Sequence, residues 1–188
     1  MRLTWNAPVT LAVVGTSTAV MVATAIMGPW FTQWFFVLDP GRGWFNPLGL
    51  LTMLTYAFGH GSWEHLASNM TFLLLLGPLL EEKYGSKDLA IMMAITTVAI
   101  AVVNNVFFST GLLGASGLVF LLIVLSSFTN LRQGAIPVTA ILVAVLFLGK
   151  EFLAGFDSDG ISQMAHIMGG ICGLAFGLLA TDSSKHNG

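Results

Sequence analysis

Long uncharged stretches alternate with short polar breaks along this chain of 188 residues. Val9 to Met27 carries no charge. Leu66 to Leu80 is likewise uncharged but short, so its helix is expected to begin near Trp63. Leu89 to Leu131 is uncharged over a length sufficient for two spans, and Ser109-Thr110-Gly111-Leu112-Leu113-Gly114 breaks it in the middle. Gln133 to Gly149 and Gly160 to Thr181 complete the set. A helix that crosses a bilayer needs about 20 mainly apolar residues. In lipid the backbone must satisfy its own hydrogen bonds, which excludes isolated strands. The pattern therefore predicts an all-α membrane protein of six spans, over about 9–27, 63–82, 88–108, 115–131, 134–153 and 161–181, forming one domain of residues 1–188.

Composition narrows the class. Hydrophobic residues make up 55% of the chain and charged residues 9%, against about 25% charged in soluble domains. So few charges cannot cover a soluble globule. A net charge of −2 from seven Lys and Arg and nine Asp and Glu leaves no basic patch, which excludes nucleic acid as a partner. The hydrophobicity excludes disorder. A single cysteine, Cys172, excludes a disulfide framework and cysteine-rich metal sites. The first span has a signal-like Ala23-Thr24-Ala25, but its apolar run is longer than a signal core and predicts an uncleaved helix.

The connection from Gly28 to Gly61 holds Trp30, Trp34, Phe35, Phe36, Trp44 and Phe45. Tryptophan favours the headgroup region, so this loop is expected to sit in one leaflet. With the N-terminus inside, Arg2, Lys83, Lys87, Arg132 and Lys185 fall on the inner side and Arg42 and Lys150 on the outer. The positive-inside rule then makes the N-terminus cytoplasmic. The acidic 150–159 loop, with Glu151, Asp157 and Asp159, is external.

Polar groups buried in hydrocarbon are costly and mark functional candidates. His60, His65 and Asn69 lie at the outer end of the second span, with His65 and Asn69 four apart on one helical face. Gly114-Ala115-Ser116-Gly117 opens the fourth span. A serine there can serve as an N-cap or, between glycines and beside free helix N–H groups, as a nucleophile facing an oxyanion site. In the sixth span, Gly169, Gly173 and Gly177 form a small-residue stripe for close helix packing, and His166 precedes it by three residues. Each cluster alone also fits a purely structural role.

The topology places His65, Ser116 and His166 toward the same outer face. His166 can then act as general base to Ser116 and as acid to a leaving amine. The Ser116 N–H with the His65 and Asn69 side chains can hold the oxyanion. No carboxylate lies near His166 in the spans, since Glu81 and Glu82 are at the inner end, so the arrangement is a dyad and not a triad.

HxxxxHxxxN (His60, His65, Asn69), GxSG (Gly114 to Gly117) and AHxxGxxxG (Ala165, His166, Gly169, Gly173) together resemble the rhomboid intramembrane serine proteases, in motif order and in the spans that carry them. The resemblance implies Ser116 as nucleophile, His166 as base, and His65 and Asn69 as oxyanion partners. Gly114, Gly117, Phe120, Gly169, Gly173 and His60 are implied as support. It implies cleavage of transmembrane protein substrates near the outer face, without cofactor or metal, by a multi-pass protein of the minimal bacterial type in the cytoplasmic membrane, in contact with its lipids. The 28–61 connection resembles the family's embedded L1 loop, 150–161 its cap, and the fifth span its lateral gate. Glu81 matches an acidic residue whose implied role is structural. Two departures stand out. Where many members carry Trp-Arg in L1, this chain reads Leu51-Thr52, and where some carry tyrosine, Phe120 stands four residues after Ser116, on the face that could stack on His166.

The zinc-protease patterns HExxH and HxxEH do not match His60-Gly-Ser-Trp-Glu64-His65. An aspartyl mechanism finds no carboxylate pair in the apolar interior of the spans, since the carboxylates within their bounds lie at the span ends. Two alternatives remain: a non-proteolytic rhomboid-like protein that binds or chaperones membrane clients, and a small transporter, which would have to explain the glycine-flanked serine and the glycine stripe by packing alone.

Overall fold

The structure, a computed structural model, describes residues 6–128 and 161–183, with Val138, Leu142 and Val145 as isolated helical positions between them. The fifth span and the 150–161 loop otherwise lie outside the described residues. Among the described residues seven helices run in chain order: α1 Pro8–Met27, α2 Trp30–Phe35, α3 Pro47–Thr55, α4 Trp63–Tyr84, α5 Ser86–Phe107, α6 Ser116–Ser126 and α7 Ile161–Ser183. Among the described residues there is no strand, only an isolated antiparallel bridge between Leu38 and Leu112.

Among the described residues, three segments are long and apolar enough to cross a membrane: Pro8–Met27, Ser86–Phe107 and Gln163–Ala180. At 22 residues α4 is as long, but it carries Glu64 in its first turn and Lys83 in its last. The protein is apolar on the outside, with Ile26, Leu75, Leu79 and Phe107 exposed, while Thr10, Ser17, Thr52, Thr96 and Asn104 are fully buried. A soluble protein shows the opposite preference; here the apolar exterior suits lipid.

Helix ends follow local chemistry. Asn46 caps α3 by accepting from the Leu48 N–H at 2.9 Å, ahead of a proline in the first turn. Ser62 caps α4 by accepting from the His65 N–H at 3.1 Å. Ala7, the N-cap of α1, has no side-chain oxygen. Glu81 of α4 supplies the cap from a distance: its carboxylate accepts from the Val9 N–H (2.9 Å), the Thr10 N–H (3.0 Å) and the Thr10 hydroxyl (2.9 Å). Helix α1 is thereby fastened to the C-terminal end of α4, where Gly77 lets Thr10 approach too closely for any Cβ.

The 28–61 connection is folded, holding α2, α3 and two 3-10 turns. Arg42 donates to the carbonyls of Trp34 (2.5 Å) and Gln33 (2.6 Å) at the end of α2 and lies over the Trp34 ring. An arginine thus braces this loop even though none stands at Leu51-Thr52. Trp30, Trp34, Trp44 and Phe45 remain exposed.

Helix α6 is the central element. Every residue from Gly117 to Leu125 is buried, and α4, α5 and α7 pack round it, α7 most extensively. Its 11 residues measure about 16 Å at 1.5 Å each, about half the thickness of a bilayer core. The chain therefore reaches Ser116 through the irregular 108–115 segment. Lys83 of α4 donates to the Phe128 carbonyl just beyond the other end of α6, a favourable place for a cation.

Candidate active site

The 108–115 segment is held by four hydrogen bonds. The Leu38 and Leu112 backbones exchange two hydrogen bonds of 2.9 Å, the Gly114 N–H donates to the Tyr56 carbonyl at 3.0 Å, and the Asn104 amide donates to the Thr110 carbonyl at 3.3 Å. Gly114 has φ +119°, and a Cβ there would meet the His65 ring at 2.8–2.9 Å. Both the backbone and the space require glycine at this position.

Ser116 is the first residue of α6. The N-cap position belongs to Ala115, and no side chain caps the helix, so Ser116 does not have the capping role its sequence context allowed. The first intrahelical bond is Val119 N–H to Ala115 C=O at 3.0 Å. The N–H groups of Ser116, Gly117 and Leu118 precede it and lack an acceptor within the helix.

Helix α7 is pressed against this end of α6. A Cβ on Gly169 would overlap the backbone of Gly117, and one on Gly117 would lie 3.2 Å from the Ala165 carbonyl. Gly173 faces the Leu121 carbonyl and Gly177 the Phe128 ring. Lipid offers no hydrophobic drive for helices to associate, so close van der Waals contact has to hold them together. The glycine row sets the distance between the helix of Ser116 and the helix of His166. The imidazole of His166 stacks on Phe120, with ring centroids 4.3 Å apart and planes 8° from parallel.

A cavity of about 310 Å³ opens between α4, α6 and α7, lined by Ser116, His166, His65, Asn69 and Phe120. Gly114 borders it through its contact with His65, while Gly117, Gly169 and Gly173 lie in the α6–α7 seam. His60 is buried behind the lining, 3.1 Å from the Asn69 amide and with ring centroid 5.0 Å from that of His65. Burial, and next the neighbouring His65, push its pKa down to about 4. Among the described residues no three His, Cys, Asp or Glu side chains come together to hold a metal. A serine, an imidazole and several N–H donors converging on one hollow can support nucleophilic acyl transfer.

A family model described as the Rhomboid domain matches residues 47–183. The chain belongs to the rhomboid family. It is also similar to Rhomboid-like protein 11, chloroplastic, of Arabidopsis thaliana, with 26% identity over 137 residues, covering 64% of this chain and 49% of that protein. The chain spans about half the length of this curated relative. All the residues placed at the cavity fall inside the matched range, and α1 and α2 lie before it.

The cavity of this rhomboid includes residues that sequence reasoning passed over: Ser68 and Phe72 of α4, Leu112 and Leu113, and Val119 and Ile123 of α6. Helical spacing could have found the helical ones. Positions 65, 68, 69 and 72 share a face, as do 116, 119, 120 and 123. No local signal marks Leu112, which is placed by its pairing with Leu38.

Proposed function

We propose that this rhomboid is a serine endopeptidase that cleaves membrane-spanning segments of protein substrates by a Ser116–His166 dyad. The observation that carries the reading is the single cavity lined by Ser116, His166, His65 and Asn69, at the helix end where three N–H groups lack intrahelical acceptors. Ser116 Oγ attacks the scissile carbonyl carbon as His166 takes its proton. The Ser116 N–H and the His65 and Asn69 side chains face the oxyanion that develops. His166 returns the proton to the leaving amine, and a water then hydrolyses the acyl-serine by the same steps in reverse order. The shortness of α6 supports a site within the bilayer thickness, and the charge asymmetry of the loops supports an outward-opening site with a cytoplasmic N-terminus.

Cleavage of a fluorogenic peptide carrying one membrane-spanning segment is expected to vanish in Ser116→Ala and in His166→Ala. A fluorophosphonate probe should label Ser116, and His166→Ala should block the labelling. Retained cleavage in either variant would overturn the dyad. Correct folding without labelling would favour a client-binding protein. Asn69→Ala should reduce cleavage without abolishing it, because other donors remain.

A further inference from the structure

Asn69 lines the cavity, but an amide has two ends of opposite character. Its nitrogen stabilises an oxyanion and its oxygen repels one. Rotation by 180° about the last side-chain bond exchanges the ends with little change of shape. The partner that settles this choice is not in the cavity. It is His60, 3% exposed, whose Nε2 lies 3.1 Å from Asn69 Nδ2 and whose Nδ1 lies 3.3 Å from the Phe58 carbonyl oxygen.

Three constraints act in sequence. The Phe58 carbonyl can only accept, so the His60 hydrogen sits on Nδ1. The ring is neutral at ordinary pH, because burial pushes its pKa down to about 4. A neutral ring protonated on Nδ1 carries its lone pair on Nε2. That lone pair can accept from the Asn69 amide nitrogen and would repel the amide oxygen. The nitrogen is therefore held at this edge, where it also lies 3.9 Å from the position a Cβ on Gly114 would take, beside the segment that leads into Ser116. One N–H goes to His60 and the second is left for a group in the cavity.

We propose that His60 is a positioning residue, fixing the Asn69 amide with its N–H toward the Ser116 end of the cavity by way of a chain from the Phe58 carbonyl through the imidazole. His60 touches no reacting atom. This inference rests on the serine-protease reading, in which Asn69 donates to the oxyanion. It adds that the donor is useful only while His60 keeps an acceptor behind it.

The test is a double-mutant cycle on the purified protein in phospholipid vesicles, with kcat and KM measured on the fluorogenic membrane-spanning peptide and thermal unfolding recorded for each variant. Loss of one oxyanion donor lowers kcat by about 100-fold, so Asn69→Ala should fall by that order. His60→Leu should lower kcat by at least about 10-fold with KM little changed, since the oxyanion exists only beyond the ground state. In the Asn69→Ala background, His60→Leu should add less than about threefold. His60→Gln, whose side-chain oxygen can replace the Nε2 acceptor, should recover most of the loss. A His60→Leu loss equally large in both backgrounds would overturn the proposal, as would full kcat in His60→Leu. If His60→Leu does not fold, the same comparison with His60→Gln and His60→Asn decides, because only an acceptor within reach of Asn69 should preserve kcat. Cleavage by Ser116→Ala would overturn the protease reading itself, whereas additive losses with Ser116→Ala inactive overturn the role of His60 alone.

Discussion

The tightest glycine contact among the described residues makes a quantitative prediction. A Cβ on Gly169 would lie 2.9 Å from the carbonyl carbon and 3.1 Å from the Cα of Gly117, and nearer still to its oxygen, where ordinary contact begins at 3.4 Å. All three atoms are backbone in the first turn of α6, so no side chain can swing aside. Gly169→Ala must part α6 and α7 by about 1 Å at this crossing, since packed interiors do not compress. Overpacking of this kind costs about 1–3 kcal/mol. The functional loss should exceed the stability loss. Ser116 adjoins Gly117, and His166 lies one turn before Gly169, so the added methyl acts on the Ser116–His166 spacing itself. A misplacement of about 1 Å costs on the order of 100-fold in rate. The assay is kcat on the fluorogenic peptide beside thermal unfolding in the same vesicles. Gly15→Ala in α1 is the control, because a Cβ there meets nothing within 4 Å; it should keep full activity and gain about 0.5–1 kcal/mol of stability. If Gly169→Ala cleaves within about threefold of the parent protein and melts with Gly15→Ala, the glycine contact does not set the spacing.

Other contacts give three further predictions. Glu81→Gln keeps the shape but loses the charge that receives the Val9 and Thr10 donors, so unfolding should become easier by about 2–3 kcal/mol, the upper range for hydrogen bonds to a charged group; unchanged unfolding would show that α1 is not fastened there. Arg42→Gln removes the clamp on the Gln33 and Trp34 carbonyls and should cost about 1–3 kcal/mol. It should also slow fluorophosphonate labelling of Ser116, because the loop reaches the serine segment through Leu38 and Leu112, and equal labelling rates would separate the two. Phe120→Leu removes the ring that stacks on His166, worth about 0.5–1.5 kcal/mol, and should lower kcat by up to about 10-fold, while Phe120→Tyr should retain it.

The sequence by itself determined the membrane class, because charge scarcity and uncharged runs report directly on the solvent a helix can tolerate. It also brought out the polar positions, since spacing of three and four residues says which side chains share a face before any packing is known. His65 with Asn69, and Ser116 with Phe120, were legible for that reason, and so was a stacking partner for His166. Tertiary structure decided what depends on elements far apart in the chain. The cap of α1 comes from Glu81, which nothing near Pro8 announces. The clamp on the long connection comes from Arg42, which reaches the Trp34 and Gln33 carbonyls eight and nine residues back. The pairing of Leu38 with Leu112 seats the serine segment. The tilt of the Asn69 amide depends on His60, whose tautomer is set in turn by a carbonyl two residues back. One-dimensional pattern records faces and solvents, whereas a hydrogen bond across 71 residues, such as Thr10 to Glu81, leaves no periodicity to read.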